Sequence, residues 1–317
     1  MPSLTRKLPF VGIAFVLALL LSAYTMAPKL ASAHTAQAST PYMSGVAHFT
    51  QIVYSSNRSG DSTYMNNGYT NNQPNALLFV TPNGSPGGVG GAYDNHPVGV
   101  WYDTSAKEWA IFNEDKAIMP LNAAFNVLVV PTPGSFGGTV FVQTAAPYNV
   151  SGDSTYINPA TTTGTGTASA QLLITQNYNP GGKGGTYNAH NVGVWYNTGA
   201  KEWAIFNEDK ASMPSAASFN VMAGASASGG GTEFLQTTTS SNRSGDSTYI
   251  NNTATNNKPN GILFVTPNWN PGGVGGAYDN HPVGVWYDTG AGQWAVFNED
   301  KASMPIPAAF NIIAFPF

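Results

Sequence analysis

Residues Pro97 to Pro120 read PVGVWYDTSAKEWAIFNEDKAIMP, and the chain writes this stretch twice more. Asn191 to Pro214 reads NVGVWYNTGAKEWAIFNEDKASMP, identical at 20 of 24 positions, and Pro282 to Pro305 reads PVGVWYDTGAGQWAVFNEDKASMP, identical at 19 of 24. Working outward, each copy begins with a Gly-Asp-Ser-Thr-Tyr block, at Gly60, Gly152 and Gly245. Each closes with Phe-Asn ahead of an apolar stretch, at Phe125, Phe219 and Phe310. A solenoid repeat spans about 20 to 50 residues, so this longer period suits a compact domain that recurs in tandem.

Within a copy the pattern is strand. Val98 to Tyr102 and Glu108 to Phe112 are rich in β-branched and aromatic residues, as strands are. They flank Asp103 to Lys107, a connection of hairpin length. Ala76 to Val80, Ala123 to Val129 and Val46 to Tyr54 read as further strands. No window keeps an apolar period of about 3.6 residues for three turns, so helix should be scarce. The fold class is therefore all-β, with three tandem small antiparallel β-sandwich domains over residues 43–130, 137–223 and 230–317. Pro131 to Gly137 reads as a stiff linker and Ala223 to Gly231 as a flexible one. Beads on a string, each closing its own core around its paired tryptophans, is the expected arrangement. A six-bladed propeller with two blades per copy is the alternative.

The N-terminus has the layout of a secretory signal over residues 1–33. Arg6 and Lys7 supply positive charge, Phe10 to Ala27 is apolar, and Ala31-Ser32-Ala33 offers small residues for cleavage. A second cleavage site follows Ala38, and an uncleaved anchor is the competing reading. The expected location of the remainder is secreted or extracellular, with no membrane partner after cleavage. Without Arg6, Lys7 and Lys29 the chain has 9 basic against 16 acidic residues, net −7. With no basic cluster, nucleic acid and anionic lipid are poor partners. There is no cysteine, so stability must come from buried apolar area, ions or association. Charged residues make up 9% of the chain, against about 25% in ordinary domains; Asn, Thr, Ser, Gly and Tyr take their place.

The GVWY…WAIFNED…MP…AFNV run resembles an uncharacterised repeat domain family of secreted bacterial proteins. The resemblance covers all three copies and implies an extracellular β domain. It brings no catalytic residues.

Candidate site residues come from the loops. Tyr178 and Trp269 each sit between asparagines, whereas the first copy has Gly84 at that place. A ring flanked by amides suits a hydroxylated ligand, by stacking and hydrogen bonding; the opposing reading is a ring lying over its own turn. His96, His190 and His281 precede the hairpins, with Asp94 and Asp279 two residues before the first and third. Such a pair invites a metal or a general base. Asn188 replaces the aspartate in the second copy, which weakens both ideas there, and a hydrogen-bonded structural histidine is the competing view. Glu114 and Asp115, with Asp61, Asp153 and Asp246, are candidate calcium ligands, or a charged turn that ends a strand. No other cofactor is expected.

No nucleophile elbow, zinc-protease motif or P-loop is present, and glycosidase chemistry needs two carboxyls facing across a cleft. An enzyme is not expected. The leading expectation is a non-enzymatic binding or adhesion module for a glycan or cell-surface polymer, whose tandem copies would raise avidity. The alternative is a structural spacer or packing unit of an extracellular envelope or matrix.

Overall fold

The repeated hairpin forms as its sequence requires. In a computed structural model, which describes residues 40–42, 46–131, 139–160, 162, 164–224 and 231–315, Val98–Asp103 pairs antiparallel with Glu108–Asn113. Val192–Asn197 pairs likewise with Glu202–Asn207, and Val283–Asp288 with Gln293–Asn298. Residues 1–39, with the expected signal segment, residues 132–138 and residues 225–230 lie outside the described residues, and with them most of both expected linkers. Among the described residues no helix is long and apolar enough to cross a membrane.

Each copy stacks two sheets. In the first copy the outer sheet runs in the order Arg58–Ser59, Ser62–Met65, Glu108–Asn113, Val98–Asp103. The inner sheet runs Val46–Ile52, Ala124–Val130, Leu77–Pro82, with Thr40–Tyr42 added at its edge. The inner sheets of the other copies are Thr139–Thr144, Ser218–Ala223, Leu172–Asn177 and Thr232–Thr237, Ala309–Phe315, Ile262–Pro267. The chain is thus an all-β protein of three tandem repeats.

Strand alternation fills a core between the sheets of every copy. In the first copy Leu78, Val80, Val127 and Val129 meet Val100, Tyr102, Trp109 and Ile111; equivalent clusters form in the second and third. Only one tryptophan of each pair belongs to this core. Trp109, Trp203 and Trp294 are fully buried, and their indole N–H groups donate to the carbonyl oxygens of Gln73, Thr167 and Lys258 at 2.8 to 2.9 Å. Trp101, Trp195 and Trp286 lie half-buried on the outer face, donating to Ser62, Ser154 and Ser247.

The other face of each inner sheet is also covered, and here the beads-on-a-string expectation fails. Leu77, Phe79, Leu128 and Val130 of the first copy pack with Val140, Leu173 and Met222 of the second and Ile262, Phe264, Ile313 and Phe315 of the third. This fourth core is shared by all three copies. The physical reason is that an inner strand such as Leu77–Pro82 is apolar on both faces, so a lone sandwich would leave one of them in water.

Backbone pairing seals the same arrangement. Gln176 and Asn177 pair in parallel with Gly99 and Val100, so the outer sheet of the first copy runs on into the inner sheet of the second. Parallel bridges repeat this at Val194 with Asn268 and at Asn83 with Val285. The second copy thus leans on the first, the third on the second, and the first on the third. Heterologous contacts of this kind close into a ring when the rotation permits, and here they close around a pseudo-threefold axis.

Candidate functional site

The seams between copies hold buried carboxyls. Glu114, Glu208 and Glu299 are nearly inaccessible, and each Oε2 accepts a backbone N–H from a neighbouring copy: Asn188 at 3.1 Å, Asp279 at 3.3 Å and Asp94 at 3.1 Å. Burial pushes all three glutamates up to about 8. Space for them exists because Gly99, Gly193 and Gly284 have no side chain; a Cβ there would overlap the glutamate carboxyl. Asp94 and Asp279 are buried beside Asn113 and Asn298, and desolvation raises both to about 6. Asn188 is the neutral counterpart in the second copy, donating to Asn207 at 2.9 Å and Gln176 at 2.8 Å.

Tyr178 and Trp269 do not stand on open loops. The N–H of Tyr178 donates to the Val100 carbonyl and that of Trp269 to the Val194 carbonyl, both at 2.9 Å, which threads each loop into the preceding copy. There Tyr178 meets Phe112 edge-on, and it lies tilted over Tyr187 of its own copy with ring centres 4.6 Å apart. Trp269 meets Trp195 and Tyr278, with its indole N–H buried and without an acceptor among the described residues. Lys116 and Lys210 cap these clusters, each 4.2 Å from the ring centre of Tyr187 or Tyr278. The rings therefore have a core to fill, that of a seam, which the reading of one loop at a time misses. Gly84 makes the third seam, where Phe297 occupies the space a side chain would need.

The histidines meet different partners from those expected. His96 Nδ1 lies 2.7 Å from Asp115, His190 Nδ1 2.7 Å from Asp209 and His281 Nδ1 2.6 Å from Asp300. Asp94 and Asp279 are instead turned into the seams. The second copy keeps its carboxylate as Asp209, so Asn188 does not weaken the pair as expected. These contacts orient each ring through Nδ1 and leave Nε2 as its unused nitrogen.

All three histidines line one depression of about 80 Å³ on the axis. Its floor is formed by Thr81, Thr175 and Thr266, and its walls include Val98, Val192 and Val283. Among the described residues, no Lys, Arg, Asp or Glu lines it. Of the candidate site residues, the structure brings together His96, His190 and His281, and it sends Tyr178, Trp269, Asp94 and Asp279 to the seams. The threonine floor went unnoticed in sequence; its signal is the extension of the apolar alternation Leu77, Phe79 to Thr81.

The candidate calcium ligands diverge. Glu114 is buried in a seam, Asp115 binds His96, and Asp61 accepts from its neighbour Ser62 at 2.8 Å. Among the described residues, no group of three or more His, Asp or Glu side chains is arranged to hold a metal ion.

The model of a family described as a domain of unknown function (DUF7452) matches the chain three times in tandem, at residues 37–129, 102–223 and 196–314. No curated protein and no solved structure matches it.

Proposed function

We propose that this chain, which belongs to the DUF7452 family, is a secreted, non-enzymatic binding or adhesion module that takes a glycan or other polymer on its axial face. The observation that carries this reading is the depression to which each copy contributes a histidine. Its uncharged lining suits a neutral hydroxylated ligand. The reading replaces three tethered sites by one composite site that no single copy possesses, so avidity between copies plays no part.

Export is supported by Arg6, Lys7 and the apolar run from Phe10 to Ala27, and by a charge-poor composition rich in Asn, Thr and Ser. A hydrolytic role lacks a nucleophile. The His96–Asp115 pair resembles the base and orienting acid of a triad, but no hydroxyl hydrogen-bonds any of the three imidazoles among the described residues.

The second reading is a structural unit of an envelope or matrix. It is favoured by Tyr178 and Trp269, whose rings are used internally to join copies. A pull-down on a panel of insoluble polysaccharides separates the two, comparing residues 34–317 with a variant carrying His96→Ala, His190→Ala and His281→Ala. Retention of the parent and loss in the variant is the expected result. No retention of either leaves the structural reading alone.

A further inference from the structure

The floor of the axial depression has an unmet chemical demand. On each inner strand the residues facing the shared core alternate: Leu77 and Phe79 lead to Thr81, Leu173 leads to Thr175, and Ile262 and Phe264 lead to Thr266. The threonines close the shared core at one end, with exposures of 2%, 5% and 1%. Each Oγ1 accepts a backbone N–H from another copy: Thr81 from Val265 at 3.0 Å, Thr175 from Val80 at 2.9 Å, Thr266 from Ile174 at 3.0 Å. These bonds fix the oxygens and leave each hydroxyl hydrogen as a donor. None of the three has an acceptor among the described residues.

Three buried donors around one axis call for an acceptor delivered along it, because a buried O–H that donates to nothing is costly. The walls add the second requirement. Val98, Val192 and Val283 present apolar surface, and Pro82 and Pro267 continue it. Gln176, which takes the place of those prolines in the second copy, is committed, with Oε1 accepting from Asn188 and Nε2 donating to the His190 carbonyl. The third requirement is neutrality. No cation lines the depression to offset the dehydration of an anion, and any charge on a rim histidine is matched by its own aspartate. The volume of about 80 Å³ admits only a few heavy atoms.

We propose that the axial depression receives the acetamido group of an N-acetylated sugar chain, its carbonyl oxygen facing the three threonine hydroxyls and its methyl group against the valine walls. The carbonyl takes two hydroxyl hydrogens on its lone pairs and shares the third contact. The sugar ring stays outside, at the histidine rim. This assignment rests on the polymer-binding reading and adds to it the chemical group that is recognised.

The test is calorimetric titration of residues 34–317 with the hexamer of N-acetylglucosamine and with cellohexaose, which has a hydroxyl in place of each acetamido group. The acetylated hexamer is expected to bind, and cellohexaose to bind more weakly by about tenfold or more, as a site built around a hydrogen-bonded group rejects an analogue that lacks it. Replacing Thr81, Thr175 and Thr266 together by valine removes the donors and should abolish the difference. Because valine also removes three backbone acceptors, the triple serine variant, which keeps the hydroxyls, serves as the folded control and should restore discrimination. Equal binding of the two hexamers, or discrimination that survives the valine variant in a folded protein, overturns the acetamido assignment and leaves the polymer-binding reading standing. Failure of both hexamers to bind, together with no retention on any polysaccharide, overturns both.

Discussion

Val265 donates its backbone N–H to the side-chain oxygen of Thr81 across 184 residues of chain, at 3.0 Å. The same bond is made from Val80 to Thr175 and from Ile174 to Thr266, so three bonds form a ring that passes through every copy once. Asn126, Asn220 and Asn311 make a second such ring, donating to the carbonyls of Leu263, Leu78 and Leu172. Two closed rings of buried hydrogen bonds mean that no copy is complete by itself.

An excised second copy, residues 139–224, should therefore not persist as a folded monomer. Alone it would expose Val140, Leu173 and Met222, which belong to the shared core. Light scattering after gel filtration is expected to show either trimers, which re-create the three seams, or an unfolded chain by circular dichroism. A monomer with a cooperative melting transition would contradict the shared-core description.

Gly284→Ala should loosen the seam between the third and first copies. The new methyl group would overlap the carboxyl of Glu299 and the ring of Phe297. Overpacking of this kind costs about 1 to 3 kcal/mol, visible as a lowered urea midpoint. Gly60→Ala meets no neighbour and is strained only by its left-handed backbone, φ 60°, so it should leave the seams intact.

Stability should fall as the solution becomes more alkaline. Burial raises Glu114, Glu208 and Glu299 to about 8, and Asp94 and Asp279 to about 6. The folded chain thus keeps protons that unfolded carboxyls release near about pH 4. The stabilisation is fully present below that value and is lost as pH climbs through about 6 and then about 8. Melting temperature measured from pH 5 to 9 is expected to decline, and Glu299→Gln combined with Asp94→Asn should make the decline shallower. An unchanged slope in the double variant would show that these groups are ionised in the fold.

The two tryptophans of one hairpin should differ sharply. Trp109→Ala empties the centre of the first sandwich and should cost about 3 to 5 kcal/mol. Trp101, half-buried against Tyr64 with ring centres 5.9 Å apart, should cost much less when truncated. Comparable denaturation midpoints for the two variants would place Trp101 in the core as well.

The all-β repeats were legible because period-two alternation and turn residues recur in each copy. The ring was not. Ala76 to Val80 and Val127 to Val130 are continuous apolar runs, the mark of strands buried on both faces, yet nothing in such a run says what covers the second face. The histidines were legible as site candidates, but their partners were not. Asp94 is near His96 in sequence, whereas the hairpin returns Asp115 beside the ring. Gly99 stands inside a strand, where a glycine marks the close approach of another group, in this case Glu114.

His48 stacks on Phe315 with ring centres 4.6 Å apart, which joins the first inner strand to the last. Synthesis reaches these two rings at opposite ends of the described chain, and Phe315 also belongs to the core that all copies share. Long-range closure of this kind slows folding, because the entropy of a large loop must be lost before its contacts form. The first two repeats must therefore wait with one sheet face uncovered until the final strand arrives, and a chain cut before Ala309 would retain unfinished sheets rather than two finished domains.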